Sequence, residues 1–227
     1  MFFIPENCPL KQDPYSALVM PRPVGWISSL NKKGMRNLAP FALFNLVSYK
    51  PPYVMFAPTG QVRRLESREG NILKDTFNNV MDTKQFVVNM ATRKLRNSVW
   101  LSSVPAPPDI DEFEITGLTP IASEIVAPPR VKESPVHLEC IYSQTIKLPH
   151  EDPELMNHLV IGKVVGVHIK DSVIKNGIID EMKLEPMARL GYFNYTKVSE
   201  VHSKPFPMWP NDDEGIREIM NKKIKVD

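Results

Sequence analysis

A lysine, an aspartate and a threonine follow one another at residues 74–76, directly before a segment that can form a helix. The first N–H groups of a helix lack partners within the helix, and together with the helix dipole they attract anions. A phosphate group fits such a site, with Thr76 donating its hydroxyl and Lys74 adding a positive charge. Asp75 opposes an anion, so it must point away or cap the helix, and Asp75 or Thr76 is the predicted cap. The alternative is an ordinary helix start without a ligand.

Further polar groups lie in the stretch from Pro21 to Phe56, which predicts three short strands joined by turns. Side chains alternate between faces in a strand, so Ser28 and Ser29 point to opposite faces of the first one. The polar loop that follows ends at Gly34, which can take the positive φ that a bulged hairpin needs. These polar groups favour a ligand cradle.

The second arm of this stretch contains Pro40, which cannot donate a ladder hydrogen bond. Proline in a strand therefore indicates an edge or a bulge. The aromatic residues beside it, Phe41 and Phe44, can form a wall for a flat heteroaromatic ring. The alternative is an edge strand with a cluster of core aromatic side chains.

The composition limits the domain organisation and the kinds of partner that we expect. The chain has 227 residues, 42% of them hydrophobic, and a net charge of +2, so we expect one large domain and neither a nucleic-acid nor a membrane partner. Cys8 and Cys140 are far apart and suggest neither a zinc site nor a disulfide framework. The N-terminus lacks the features of a signal peptide, and no apolar run approaches the ~20 residues of a membrane span. The predicted location is cytoplasmic.

Other segments predict the rest of the framework. A helix is expected from Arg93 to Leu101, with Thr92 as its cap and Trp100 in the core. Residues 104–135 are rich in proline and predict an ordered surface excursion. Residues 58–70 predict a polar surface loop.

Two long antiparallel strands are predicted at Val136 to Thr145 and Asn157 to Ile169. His158 and His168 fall on one face of the second strand, but they are far apart and we expect no acidic neighbour for either. No metal site is therefore predicted.

Several familiar motifs are missing from the sequence. It contains no G-x-G-x-x-G, no G-x-x-x-x-G-K-[ST], no H-E-x-x-H and no G-x-S-x-G. A Rossmann-type dinucleotide fold and the standard hydrolase and kinase classes therefore have little support.

Several short motifs do match a known family, in its order and at roughly its spacing. They are Arg22-Pro23-Val24-Gly25-Trp26-Ile27-Ser28, Asn37-Leu38-Ala39-Pro40-Phe41, Phe44-Asn45, Pro51-Pro52, Lys74-Asp75-Thr76 and Ala188-Arg189-Leu190-Gly191. From about Tyr15 to Tyr195 the chain resembles the flavin reductase-like family of FMN-binding split barrels. That family includes flavoredoxins and the reductase components of two-component flavin monooxygenases.

The resemblance implies a mainly β fold with a few helices, a split β-barrel of the Greek-key type. We expect an N-terminal segment over residues 1–20, the split-barrel domain over residues 21–202 and a C-terminal tail over residues 203–227. The tail either wraps a partner subunit or is loose. The family also implies a homodimer, with the 104–135 excursion contributing to the dimer surface and to a lid over the flavin.

The resemblance also implies which residues bind the flavin. The flavin ring and ribityl chain are expected at Ser28, Ser29, Asn37, Ala39 and Phe41, with Asn45 as a further candidate. The phosphate is expected at Lys74, Asp75 and Thr76. Arg189 either pairs with the flavin or an anionic nucleotide, or forms a structural ion pair. No catalytic residue is named, because hydride transfer needs no side-chain acid or base.

The activity implied is oxidoreductase chemistry on FMN, with NADH or NADPH passing hydride to flavin N5 and an oxygenase or another electron acceptor as partner. Family members often have a second glycine after Arg-Leu-Gly, where this chain has Tyr192. That departure motivates an alternative, an FMN-carrying electron-transfer protein without NAD(P)H turnover. A third possibility is a binding scaffold that has lost the flavin.

Overall fold

The computed structural model describes residues 1–58, 73–150, 156–204, 206, 208–210 and 212–221. Short strands dominate, as expected for a chain in which prolines and turns interrupt the pattern so often. The strands are β1 (Arg22–Pro23), β2 (Gly25–Leu30), β3 (Arg36–Phe41), β4 (Phe44–Tyr49), β5 (Pro52–Phe56), β6 (Gln85–Met90), β7 (Pro120–Ile121), β8 (Arg130–Val131), β9 (Val136–Pro149), β10 (Met156–Ile169), β11 (Ile174–Lys175), β12 (Ile178–Ile179), β13 (Met187–Arg189) and β14 (Tyr195–Lys197). The helices are α1 (Tyr15–Leu18), α2 (Asp75–Thr83), α3 (Arg96–Leu101), α4 (Glu112–Thr116), α5 (Glu181–Leu184) and α6 (Asp213–Asn221), and short 3₁₀ turns lie at Pro5–Asn7, Arg93–Leu95 and Asp171–Val173.

The main element of the fold is one antiparallel sheet. Its seven strands lie in the order β3-β2-β6-β9-β10-β5-β4, and every neighbouring pair in it is antiparallel. A small sheet, β1-β13-β14, joins the start of the chain to its later part. The predicted mainly β fold with a few helices is confirmed.

Strand β2 separates two cores. Its residues are buried from Gly25 through Ser29. Ile27 packs into the cluster that also contains Phe77 of α2, whereas Trp26 packs into the cluster on the other side with Leu38. The predicted alternation of side chains along this strand is confirmed.

Strand β3 forms one edge of the large sheet, as Pro40 predicted. Pro40 lies opposite Trp26 of β2, so it occupies the edge position where a missing N–H is tolerated. The hairpin before it closes through Gly34, whose φ of +80° is the left-handed conformation expected from the sequence.

The helix predicted from Arg93 to Leu101 is divided. Residues Arg93–Leu95 form a 3₁₀ turn and α3 begins at Arg96, while Thr92 makes no side-chain capping bond. Trp100 was predicted in the core, but its side chain is 67% exposed. This prediction was wrong because Val99 takes the buried position on that short helix.

The two long strands β9 and β10 pair antiparallel, as predicted, with two register shifts. The prediction that His168 has no acidic neighbour was wrong, since its Nε2 lies 2.6 Å from Oε1 of Glu139 on β9. The proline-rich excursion is ordered and contains α4, β7 and β8.

Of the predicted 58–70 loop, only Pro58 is described. The predicted tail over residues 203–227 is described in part. In the described part of the tail, residues Asp213–Asn221 form α6. No helix in the described ranges combines the length and the apolar character that crossing a membrane requires.

Candidate functional site

Helix α2 begins where an anion site was predicted. Lys74 is the N-cap residue and its side chain makes no capping hydrogen bond. Asp75 and Thr76 are the first two helical residues, so the prediction that one of them caps the helix was wrong. Phe77 and Val80 are buried on the inner face of α2 and hold its N-terminus against the sheet.

A cavity of about 370 Å³ opens at this N-terminus. It lies between the start of α2, strand β3, the segment after α3 and the first residue of α4. Its lining consists of Asn37, Ala39, Pro40, Phe41, Lys74, Asp75, Thr76, Ser102, Ser103, Val104, Pro105, Ala106 and Glu112. The cavity thus brings together six of the predicted site residues: Asn37, Ala39, Phe41, Lys74, Asp75 and Thr76.

At the polar end of the cavity, a hydrogen bond joins strand β3 to helix α2. Asn37 Nδ2 donates to Thr76 Oγ1 at 2.9 Å, and both side chains are buried. The Thr76 hydroxyl is the acceptor in that bond, so the hydroxyl proton of Thr76 is not used in it. Lys74 Nζ lies 5.5 Å from the centroid of the Phe41 ring. Burial lowers the pKa of Lys74, and an anion beside its ammonium group would act in the opposite direction by favouring the charged form.

Glu112 is a site residue that the sequence reasoning missed. It is 6% exposed, and its Oε2 accepts the backbone N–H of Leu38 at 2.9 Å. Burial, with smaller contributions from Asp75 and Asp111, raises its pKa to about 7. An acidic residue in the first turn of a helix usually faces solvent, so no local signal pointed to Glu112.

The two predicted serines are buried away from the cavity lining. Ser28 Oγ donates to the carbonyl of Pro129 at 2.5 Å and accepts from Asn89 Nδ2 at 3.1 Å. Ser29 Oγ accepts from Asn79 Nδ2 at 3.1 Å. Both hydroxyls therefore join β2 to neighbouring segments of the protein. Neither serine is among the cavity-lining residues, although Ser29 lies directly opposite Asn37 in the pairing of β2 with β3.

Asn45 and Arg189 also lie elsewhere. Asn45 is exposed on β4, and its Oδ1 accepts from the N–H of Leu46. Arg189 on β13 stacks over the Tyr195 ring, with 4.4 Å from its guanidinium carbon to the ring centroid, and donates to the carbonyl of Tyr192. Both partners of Arg189 lie within the chain, but neither is the acidic group of the structural ion pair that the sequence left open as an alternative.

The lining residues fit a planar molecule with a phosphate tail. Ala39, Pro40 and Phe41 form an apolar wall, while the uncapped start of α2, Lys74 and the Thr76 hydroxyl lie at the polar end. The volume is also in the range of about 300–1,000 Å³ that small-molecule sites occupy. Within the described ranges, no group of three or more His, Cys, Asp or Glu side chains is placed to hold a metal ion.

Comparison with known proteins shows to which family the chain belongs. A family model described as "Flavin reductase like domain" matches residues 16–197. The chain belongs to the flavin reductase-like family. An uncharacterized protein of Aquifex aeolicus is 37% identical over 181 residues, covering 79% of this chain and 86% of that protein. The Bacillus subtilis protein YwrF is 31% identical over 187 residues, covering 82% of this chain and 87% of that protein.

Solved structures agree with this membership. Nitrilotriacetate monooxygenase component B from Bacillus cereus superposes with a TM-score of 0.79 at 29% identity, covering 90% of this chain and 98% of that one. Flavoredoxin from Desulfovibrio vulgaris, at 19% identity and a TM-score of 0.68, shares the fold and covers 83% of this chain and 92% of that one. A split-barrel flavin reductase from Shewanella frigidimarina, at 22% identity and a TM-score of 0.72, covers 85% of this chain and 89% of that one. The predicted split-barrel fold is confirmed, and family membership supports a flavin-related oxidoreductase with a flavin cofactor.

Proposed function

We propose that the protein binds FMN in the cavity at the start of α2 and reduces it with NADH or NADPH. The observation that carries this proposal is the coincidence of three features in one cavity of a flavin reductase-like chain. An uncapped helix N-terminus, a half-buried lysine and a threonine hydroxyl face the same space as an apolar wall.

The residues divide into two groups by what they do to the cofactor. Lys74 and Thr76 hold the phosphate, the first by its charge and the second by its hydroxyl proton. Ala39 and Phe41 pack against the flat part of the molecule and exclude water from it. Asn37 fixes the Thr76 hydroxyl through the 2.9 Å bond described above. When bound, FMN supplies the hydride-accepting chemistry, so the protein contributes position, polarity and access.

Binding tests the phosphate part directly. Fluorescence titration of FMN should show a loss of about 10- to 100-fold in affinity for Lys74→Met and for Thr76→Val, because each removes a bond to a charged group worth about 1.5–3 kcal/mol. Lys94→Met is the matched control, since Lys94 is exposed on the 3₁₀ turn before α3. Riboflavin has no phosphate, so its affinity should be the same in all four proteins. Unchanged FMN affinity in both site variants would contradict the assignment.

Turnover separates reduction from simple carriage of the flavin. Tyr192 has a φ of +57°, a conformation that favours glycine, at the position where family members often have one. This observation keeps a second candidate function open, an FMN-carrying electron-transfer protein that does not accept hydride from pyridine nucleotides. Steady-state consumption of NADH or NADPH with excess FMN supports the reductase. FMN retained after desalting, with no bleaching by either nucleotide, supports the carrier.

The cofactor and the partners can be tested in the same way. FAD should compete poorly with FMN for the cavity, and equal affinities would contradict the choice of FMN. We further propose a cytoplasmic homodimer that delivers reduced flavin to an oxygenase or another acceptor, in line with the resemblance to a monooxygenase component B. Light scattering of the purified protein tests the dimer, and a monomeric mass would contradict it.

A further inference from the structure

A buried carboxyl lies beside the proposed phosphate end of the cavity. Among the described lining residues, Glu112 shares this space with Lys74 and Asp75. With Glu112 ionised, its carboxylate would repel an incoming dianion. Protonation of Glu112 removes that repulsion, while Lys74 and the N-terminus of α2 supply positive potential.

Glu112 is held in a position where protonation of its carboxyl can remove the repulsion of a phosphate. The Leu38 N–H occupies Oε2 at 2.9 Å, and the side chain is buried at the start of α4. A protonated carboxyl has one O–H donor, and Oε1 is the oxygen that the Leu38 N–H leaves for it. Ionised, the same group would be an acceptor only and would oppose a phosphate oxygen.

We propose that Glu112 takes up a proton when the phosphate of FMN enters the cavity, and that its protonated carboxyl is the neutral donor facing that phosphate. The inference rests on the proposed function, because it takes FMN as the ligand. It makes Glu112 the residue that sets how FMN affinity depends on pH.

The acidic neighbours of Glu112 favour this coupling because they disfavour its ionised form, whereas the cation Lys74 acts the other way. Asp75 and Lys74 face it from α2, and Asp111 precedes it on its own helix. Asp111 is paired with Arg36 of β3, with Arg36 Nε donating to Oδ2 at 2.5 Å, so part of its charge is compensated. The pKa of about 7, raised chiefly by burial, places the titration in the range where a bound anion can shift it further.

The direction in which FMN affinity changes with pH follows from the protonation state of Glu112 in the protein without FMN. Below pH 7 Glu112 already carries its proton, and FMN binds without taking one up. Above pH 7 the free carboxyl is ionised, so binding requires a proton and affinity falls by up to tenfold for each pH unit. The second ionisation of a phosphate monoester lies near pH 6, so measurements from pH 6.5 to 8.5 leave the ligand largely a dianion.

The experiment is an FMN titration by fluorescence at pH 6.5, 7.5 and 8.5 on the wild-type protein and two variants. The wild type should lose about tenfold or more in affinity over this range. Glu112→Gln should keep its affinity at pH 6.5 and lose most of the pH dependence, because the amide is neutral and still accepts from Leu38. Glu114→Gln is the matched control on the same helix, with an exposed side chain, and should follow the wild type.

A second measurement needs no variant. Calorimetric FMN titration of the wild type at pH 7, in two buffers with different ionisation enthalpies, should report uptake of about half a proton per FMN bound. This keeps the test decisive if Glu112→Gln does not fold. Riboflavin, without the phosphate, should bind with no proton uptake.

The outcomes separate the two proposals. Failure of the wild type to bind FMN at any pH would refute the proposed function. FMN binding without proton uptake would leave that function standing and overturn the inference. The inference would also be overturned by an unchanged pH dependence in a folded Glu112→Gln variant, or by equal proton uptake with riboflavin.

Discussion

Glu139 offers the sharpest test of how the fold is held together. Its carboxylate is fully buried on β9 and accepts four hydrogen bonds. The donors are Glu124 N–H at 2.8 Å and His168 Nε2 at 2.6 Å on Oε1, and Ile125 N–H at 2.7 Å and Val126 N–H at 3.0 Å on Oε2. The carboxylate therefore fixes the loop before β8 to the long strand pair.

The size of its contribution follows from its pKa. Burial acts to raise the pKa of Glu139, but the bonds from the Glu124 N–H, His168 and the next two backbone N–H groups outweigh it and lower the pKa from 4.5 to about 2. A carboxyl with this difference between unfolded and folded states stabilises the fold by about 3 kcal/mol. That stability is fully present above pH 4.5 and is lost as the pH falls toward 2.

Glu139→Gln should therefore lower the free energy of unfolding by about 3 kcal/mol at pH 7. Both oxygens accept from N–H donors, so the amide group of glutamine must face a donor whichever way it turns. Urea denaturation at pH 7 and at pH 3 measures the loss, which should be smaller at pH 3, where the wild type has lost part of this stability.

Glu124→Gln is the matched control. Its side chain is 75% exposed, and we expect a change of less than about 0.5 kcal/mol. A loss below about 1 kcal/mol for Glu139→Gln, or one that is the same at both pH values, would show that the buried carboxylate does not hold this loop as argued.

Two further substitutions test the core and the cavity. Gly162→Ala places a Cβ 2.3 Å from the ring of Phe86, which is fully buried, so urea denaturation should show a loss of about 1–3 kcal/mol; a neutral result would mean that the ring has room to move. Glu112→Gln should make stability less dependent on pH, because a carboxyl whose pKa is raised to about 7 costs the wild type stability as the pH rises above 4.5. Melting temperatures at pH 5 and 8.5 measure this, and equal slopes in the two proteins would contradict it.

The fold was predictable where local signals agree with tertiary packing. Alternation correctly indicated that neighbouring side chains of β2 face opposite ways, as Trp26 and Ile27 do, and Pro40 correctly indicated the sheet edge. The position of α2 followed from its sequence, although its cap did not. Each of these features depends on a few consecutive residues.

The rest depended on contacts between distant parts of the chain. Alternation showed that Ser28 and Ser29 face opposite ways, but only the fold shows that asparagines far along the chain satisfy both hydroxyls. Glu112 is buried because α4 packs on β3, and its partner Leu38 is 74 residues away. No local pattern could indicate that burial. Sequence reasoning therefore identified the residues at the start of α2 that line the cavity, and it missed Glu112, which lines the same cavity.

The two edges of the large sheet differ in how they can meet a neighbouring chain. On β3, Pro40 has no N–H to offer to an added strand, and an edge interrupted in this way resists self-association. On β4, the opposite edge, Val47 and Tyr49 are 54% and 82% exposed. During refolding at high concentration, we therefore expect incorrect strand addition at β4. Val47→Lys should raise the yield of unaggregated protein in a refolding assay, and an unchanged yield would show that aggregation begins elsewhere.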